Sequence, residues 1–179
     1  MRLCALIVLL LTVRLSIVSG QTPPPLLARP RGAYYPHGIN GQAIPLPDLF
    51  EAVMQNDKAR VKDLLDHGAN PNEPAPNGYA PLIQSTVWGI DPEICKFLVE
   101  HGADVNVVTP PNQKGFSNKW TPLFYAVHRK RSELVSILLA HGARTNLRDA
   151  WGKSPMDRAK EVKSDAIIQQ LKTAEKRKT

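Results

Sequence analysis

Apolar positions recur at steps of three and four along short stretches of this chain. In Glu93-Ile94-Cys95-Lys96-Phe97-Leu98-Val99-Glu100-His101-Gly102, the residues Ile94, Phe97 and Leu98 define one face of a helix. Asp91 is placed to cap its start, Pro92 suits its first turn, and Gly102 suits a left-handed stop. The same pattern is written again in VKDLLDHGANPN from Val61 and in LVSILLAHGARTN from Leu134. A second, shorter helix is predicted ahead of each copy, at Leu49–Val53, Pro81–Ser85 and Thr121–Val127. A fourth copy runs from Gly152 to Ala159, followed by the apolar positions of Ala166–Leu171. Leu49 to Leu82 is 82 − 49 = 33 positions, and Leu123 to Met156 is 156 − 123 = 33. A period of this length marks units that bury their apolar faces only by stacking on one another.

With Thr121-Pro122-Leu123-Phe124-Tyr125-Ala126 and His101-Gly102-Ala103-Asp104-Val105-Asn106, the chain resembles the ankyrin repeat family over roughly residues 46–172. The resemblance implies an all-α solenoid of about four helix-turn-helix units joined by β-turn fingers, the outer two acting as caps. Thr121 and Ser154 are expected to cap the helices that begin at Pro122 and Pro155, and Ala80 departs from that pattern ahead of Pro81. Asp48 and Glu51 suggest a capping box at the first unit.

Two spacings break the period. Leu82 to Val99 exceeds Leu49 to Leu65 by one residue, which places an extra residue in the turn at Val87–Ile90. Gly102 to Gly142 is 142 − 102 = 40, and the surplus falls within Val107–Lys119. Insertions in repeat proteins map to loops, often on the binding face. A loop also tolerates added length cheaply, at about 0.6 kcal/mol per doubling.

Outside the repeats the composition changes. Met1-Arg2, the apolar Leu3–Val13 and the small Val18-Ser19-Gly20 form a secretory signal pattern over residues 1–20. Arg14 interrupts the apolar run, which is shorter than the ~20 residues that span a bilayer. Cleavage before Gln21 and no stable membrane insertion are therefore expected. Residues 21–45, with Pro23-Pro24-Pro25 and Arg29-Pro30-Arg31, read as an extended linker. Residues 173–179 read as a basic tail.

Loss of Arg2 and Arg14 lowers the formal charge from +7 to +5. The basic tail carries no interleaved aromatics, which argues against nucleic acid. Cys95 is the one cysteine after residue 20 and sits on an apolar face, as a buried thiol would, so no intramolecular disulfide is expected. His67, His101 and His141 recur at whole-repeat steps, but neighbouring helices lie about 10 Å apart, too far to share a metal near 2 Å. They suit the negative end of a helix instead. No phosphate loop, paired carboxylates or activated nucleophile stands out, so neither catalysis nor a cofactor is expected.

The aromatic residues carry the functional expectation. Tyr79 and Trp120 precede the short helices, Trp151 falls at the tip of the next finger, Tyr125 lies on a helix, and Trp88 lies near a helix end. Tryptophan and tyrosine are enriched at binding hot spots. The resemblance implies that fingers and inner helices form a concave surface that binds other proteins. The expected surface comprises Asn77, Tyr79, Gln84, Trp88, Asn118, Trp120, Tyr125, His128, Arg129, Trp151 and Lys153, with Gln84, Asn118, His128 and Arg129 as a polar rim. The expected function is protein binding by an exported monomer, periplasmic or secreted. Family-level analogy suggests a toxin-neutralising immunity protein. The alternatives are an accessory factor giving redox protection to an exported enzyme, and a secreted effector acting on a host protein.

Overall fold

A computed structural model describes residues 47–176 apart from 88, 89, 113, 114 and 116. The expected signal peptide, the 21–45 linker, Trp88 and the last three residues of the tail lie outside the described residues. Within them are eight helices: α1 (Asp48–Met54), α2 (Lys58–Asp66), α3 (Pro81–Val87), α4 (Pro92–Glu100), α5 (Pro122–His128), α6 (Ser132–Ala140), α7 (Pro155–Glu161) and α8 (Asp165–Lys176). Each odd-numbered helix packs on the even-numbered helix that follows it. The short helices α1, α3, α5 and α7 stack as an inner row, and α2, α4, α6 and α8 as an outer row. This is the all-α repeat solenoid that the period predicts. Helix α8 continues through Lys176, past the expected start of the tail at 173.

The core follows the apolar periodicity. Leu49, Val61, Leu82, Ile94, Leu98, Leu123, Leu134, Leu138, Ile167 and Leu171 are all buried in one continuous cluster that crosses every repeat. Each such side chain contributes roughly 1.5–3 kcal/mol when fully buried. Phe97, on the same face as Ile94 and Leu98, sits at the cluster's edge, half-buried.

The inner helices α1, α5 and α7 and the outer helices α2, α4 and α6 end the same way. After the outer helices, the Gly102 N–H donates to Val99 O and the Ala103 N–H to Leu98 O, and Gly68 and Gly142 repeat the arrangement. This double closure satisfies carbonyls that the last turn leaves unpaired, and it requires a left-handed residue. Gly102 supplies it at φ +87°. After the inner helices the left-handed position is held by Asn56, Lys130 and Lys163, at φ of 53–55°. His67, His101 and His141 bond through Nδ1 to the carbonyls of Asp63, Phe97 and Ile137 at 2.8, 2.8 and 2.9 Å, at the negative ends of their helices.

The helix starts depart from expectation in three places. Thr121 stands at the N-cap of α5, but its side chain makes no cap bond and its Oγ1 is buried without a partner. Helix α3 therefore gives up no cap bond relative to α5 by having Ala80 in that place. Pro47, not Asp48, is the N-cap of α1, and Asp48 instead meets the Arg60 guanidinium at 3.2 Å. A complete capping box forms only at Ser154 and Asp157 among the described residues. Asp91 caps α4, accepting from the Glu93 N–H at 2.9 Å.

Repeats are also tied edge to edge. The Asn72 side chain donates to Gly102 O and accepts from the Asp104 N–H, and Asn106 accepts from the Arg144 N–H at 2.8 Å. The last residue of the His-Gly-Ala segment is thus a rung to the next repeat. The α3–α4 connection holds four residues (88–91), where α1–α2 and α5–α6 hold three (55–57 and 129–131). The extra residue falls where the spacing predicts.

Candidate functional site

Three fingers lead into α3, α5 and α7, and one backbone bond closes each. The Ala75 N–H donates to Tyr79 O, the Thr109 N–H to Trp120 O, and the Asp149 N–H to Lys153 O, at 2.9–3.0 Å. Tyr79, Trp120 and Lys153 are therefore equivalent positions at the finger bases. The closures span 79 − 75 = 4, 120 − 109 = 11 and 153 − 149 = 4 positions. The whole seven-residue insertion lies within the tip of the middle finger. Its base is fastened: the Thr109 hydroxyl bonds to the Asn118 side chain, and Ser117 Oγ donates to Thr109 O at 2.6 Å. The Ala150 N–H donates to Asn118 O at 3.0 Å, linking this finger to the next.

Trp120 does not stand clear in the finger, as its sequence position suggests. Its indole folds back along α5. Ring centroids lie 6.4 Å from Phe124, 5.0 Å from Tyr125 edge-on, and 5.0 Å from His128. The Arg158 guanidinium sits 5.1 Å from the indole centre, in cation–π range. The half-buried indole thus bridges α5 and α7, and its Nε1 is buried without a partner. Trp120 is part of the stack as well as part of the surface.

Arg158 is the residue that sequence reasoning missed. It lies 158 − 125 = 33 positions after Tyr125, which lies 125 − 84 = 41 after Gln84 across the insertion and the extra turn residue, so Gln84, Tyr125 and Arg158 form one row along the inner helices. That row was the available signal. Arg158 donates to Asp149 at 2.8 Å and to Glu161 at 2.8 Å. The Asp149 side chain is wholly buried and also accepts from the Trp151 and Lys153 N–H groups, both at 2.9 Å. Burial would push its carboxyl up, but the bonds from Lys153 N–H, Arg158 and Trp151 N–H together hold it below the usual range. One buried carboxylate thus shapes the third finger and fixes the guanidinium over Trp120.

Between these parts lies an open groove of about 280 Å³ lined by Trp120, Trp151, Lys153 and Arg158. Trp151 is 57% exposed, one of two large apolar side chains so placed among the described residues. Lys153 pairs with Glu161, and Arg158 is held by its two carboxylates.

The other expected residues divide. Tyr125 interacts with Asn118 and Tyr79, which brings those three to the Trp120 end of the face; burial, chiefly, raises its hydroxyl pKa. His128 lies against Trp120, and burial, then Arg158 and Arg129, push its imidazole down, with Glu161 opposing. Arg129 is exposed at the end of α5. Gln84 is 4% exposed and lies beneath the surface rather than on the rim expected of it. Asn77 accepts the Tyr79 N–H at 3.1 Å, which is a turn-forming bond at its finger tip.

The comparisons agree with this architecture. A family model of ankyrin repeats in many copies matches residues 98–159, and one for the single ankyrin repeat matches residues 77–110. Human cyclin-dependent kinase inhibitor 2A is 32% identical over 126 residues, covering 70% of this chain and 76% of that protein. A phosphate system positive regulatory protein of Saccharomyces cerevisiae is 43% identical over 64 residues, 36% of this chain and 5% of that protein. A glycerophosphocholine phosphodiesterase of Schizosaccharomyces pombe is 35% identical over 99 residues, 55% of this chain and 8% of that protein. The chain therefore spans a small part of the two yeast proteins and about three quarters of the human one. Repeating helix pairs, finger closures, the family models and a relative matched over most of its length lead to one conclusion: the chain belongs to the ankyrin repeat family.

Proposed function

We propose that this protein binds a protein partner, without catalysing a reaction, through the groove between its third finger and the α5–α7 face, and that it does so after export. Ankyrin repeats indicate a protein–protein interaction module. The observation that carries the placement is the pair Trp120 and Trp151 on one open groove, with Trp151 57% exposed. A large aromatic left at the edge of a concavity offers apolar area at a small entropic cost, as binding hot spots do. Export rests on the charged, apolar and small-residue pattern of residues 1–20.

The binding reading is tested by affinity capture from the native exported fraction with wild type and Trp151→Ala in parallel. A protein retained by the first and lost by the second supports it. A protein retained equally by both contradicts the placement. For export, N-terminal sequencing of protein recovered outside the cytoplasm should begin at Gln21. An intact Met1 would overturn that part.

A further inference from the structure

We propose that the partner segment held by this groove is an acidic peptide, its carboxylates drawn to the basic half of the solenoid and its apolar side chains seated against Trp120 and Trp151. The inference rests on the groove reading above and adds the chemistry of the occupant.

Charge is divided along the sequence, the second part being counted through the basic tail. Residues 47–106 carry ten carboxylates against four Lys or Arg, a net of −6, and residues 107–179 carry six against fifteen, a net of +9. With the four arginines before residue 47, these make up the chain's +7. The two halves also differ in how their charges are used. All four basic side chains of the first half are ion-paired: Lys58 with Asp91 and Glu93, Arg60 with Asp48 and Glu51, Lys62 with Asp66, and Lys96 with Glu100. In the second half, Lys119, Arg129, Lys130 and Lys160 have no carboxylate within ion-pair distance among the described residues.

Arg129 acts electrostatically on Tyr125 and His128, whose rings each lie 5.0 Å from the Trp120 ring, and Lys119 precedes Trp120 in sequence. The groove presents no free carboxylate in return. Asp149 is buried under Arg158, Glu161 is shared by Lys153 and Arg158, and Asp157 accepts from Ser154. The cations that line the groove, Lys153 and Arg158, are thus matched by Glu161 and Asp149, and it is the unpaired cations of the basic half around it that favour carboxylates beside apolar groups; complementary charge speeds encounter and excludes basic partners. A second copy of this chain is a poorer occupant. Most carboxylates of its acidic half are already engaged: Asp57 and Asp91 cap helices, Asp66, Glu93 and Glu100 pair with lysine, and Asp48 and Glu51 pair with Arg60.

The test uses the full chain and a fluorescein-labelled peptide of alternating glutamate and leucine, read by anisotropy. A lysine–leucine peptide and a single-stranded oligonucleotide of equal charge are run alongside. Arg129→Glu, at an exposed residue with no carboxylate partner, should weaken the acidic peptide about tenfold or more. Arg144→Glu, which lies away from the groove beside Asn146 and Glu175, should change it by less than about twofold. Trp151→Ala should weaken it as well. Equal losses for Arg129→Glu and Arg144→Glu would reduce the effect to overall charge and overturn the proposal. So would tighter binding of the oligonucleotide, a dimer in low-salt gel filtration that the peptide cannot compete, or no binding of the acidic peptide. If the captured partner depends on Trp151 but not on Arg129, the groove reading stands and the acidic occupant falls.

Discussion

At Lys130 the backbone is left-handed, φ +55°, in a turn where the outer helices use glycine. A non-glycine residue there costs roughly 1–2 kcal/mol, and glycine returns roughly 0.4–1 kcal/mol of that through the unfolded chain. Lys130→Gly should therefore raise stability by roughly 0.5–1 kcal/mol in urea denaturation, with an unchanged slope. Gly102→Ala should lower it by about 1 kcal/mol, since a Cβ there meets open space and only the backbone is strained. Gly115 in the insertion is also left-handed, at φ +76°, so a side chain there meets backbone strain in this conformation as well.

Thr121 and Ser154 make a second contrast between single residues. Ser154→Ala should cost about 1 kcal/mol because it removes a formed cap. Thr121→Val should be neutral or stabilising, since it replaces a buried hydroxyl that has no partner. Equal losses for the two variants in thermal melts would contradict this. Cys95 is 0% exposed, and burial, opposed by a bond with Ser85, pushes its thiol up to about 12. A thiol reagent should label native protein far more slowly than unfolded protein.

Among the elements, the third finger depends most on one side chain. Asp149 accepts two backbone N–H groups and the Arg158 guanidinium in a fully buried position. Removing one partner of a buried pair costs about 3–5 kcal/mol, and Asp149→Ala should fall near the lower end because Arg158 keeps Glu161. The carboxyl's folded pKa lies below its unfolded value near 3.9. Its stabilisation is thus complete above about pH 4 and is lost as pH falls through the folded value. Wild type should lose stability steeply there, and Asp149→Asn should show a shallower acid limb.

The elements were legible in the sequence to different depths. Helix positions, glycine stops and the two spacing irregularities follow from local chemistry repeated at a fixed period, so Ile94, Leu98 and Gly102 announce their roles. The caps at Asp48 and Thr121 were misread because a capping side chain has competing options that only tertiary packing decides. Asp48 turns to Arg60, and the Thr121 hydroxyl is covered. The bridging role of Trp120 was not legible either. It depends on Arg158, a residue of the next repeat, lying over the indole.

Over the whole molecule, Trp120 and Trp151 share one groove but differ in structural weight. Trp120 packs on Phe124, Tyr125 and His128 beneath Arg158, so Trp120→Ala should lower stability by roughly 2–4 kcal/mol along with any loss of binding. Trp151 is exposed, and its removal leaves the Asp149 bonds to the finger backbone in place. The unequal charge of the two halves adds a salt dependence: if the occupant is acidic, association should slow as salt screens the basic half. The most direct measurement is therefore a binding titration and a denaturation curve on the same Trp151→Ala protein, with the partner captured by wild type. Affinity should fall by about 2 kcal/mol, some thirtyfold, with the melting curve unmoved. Unchanged affinity on an intact fold would contradict a binding surface at this groove.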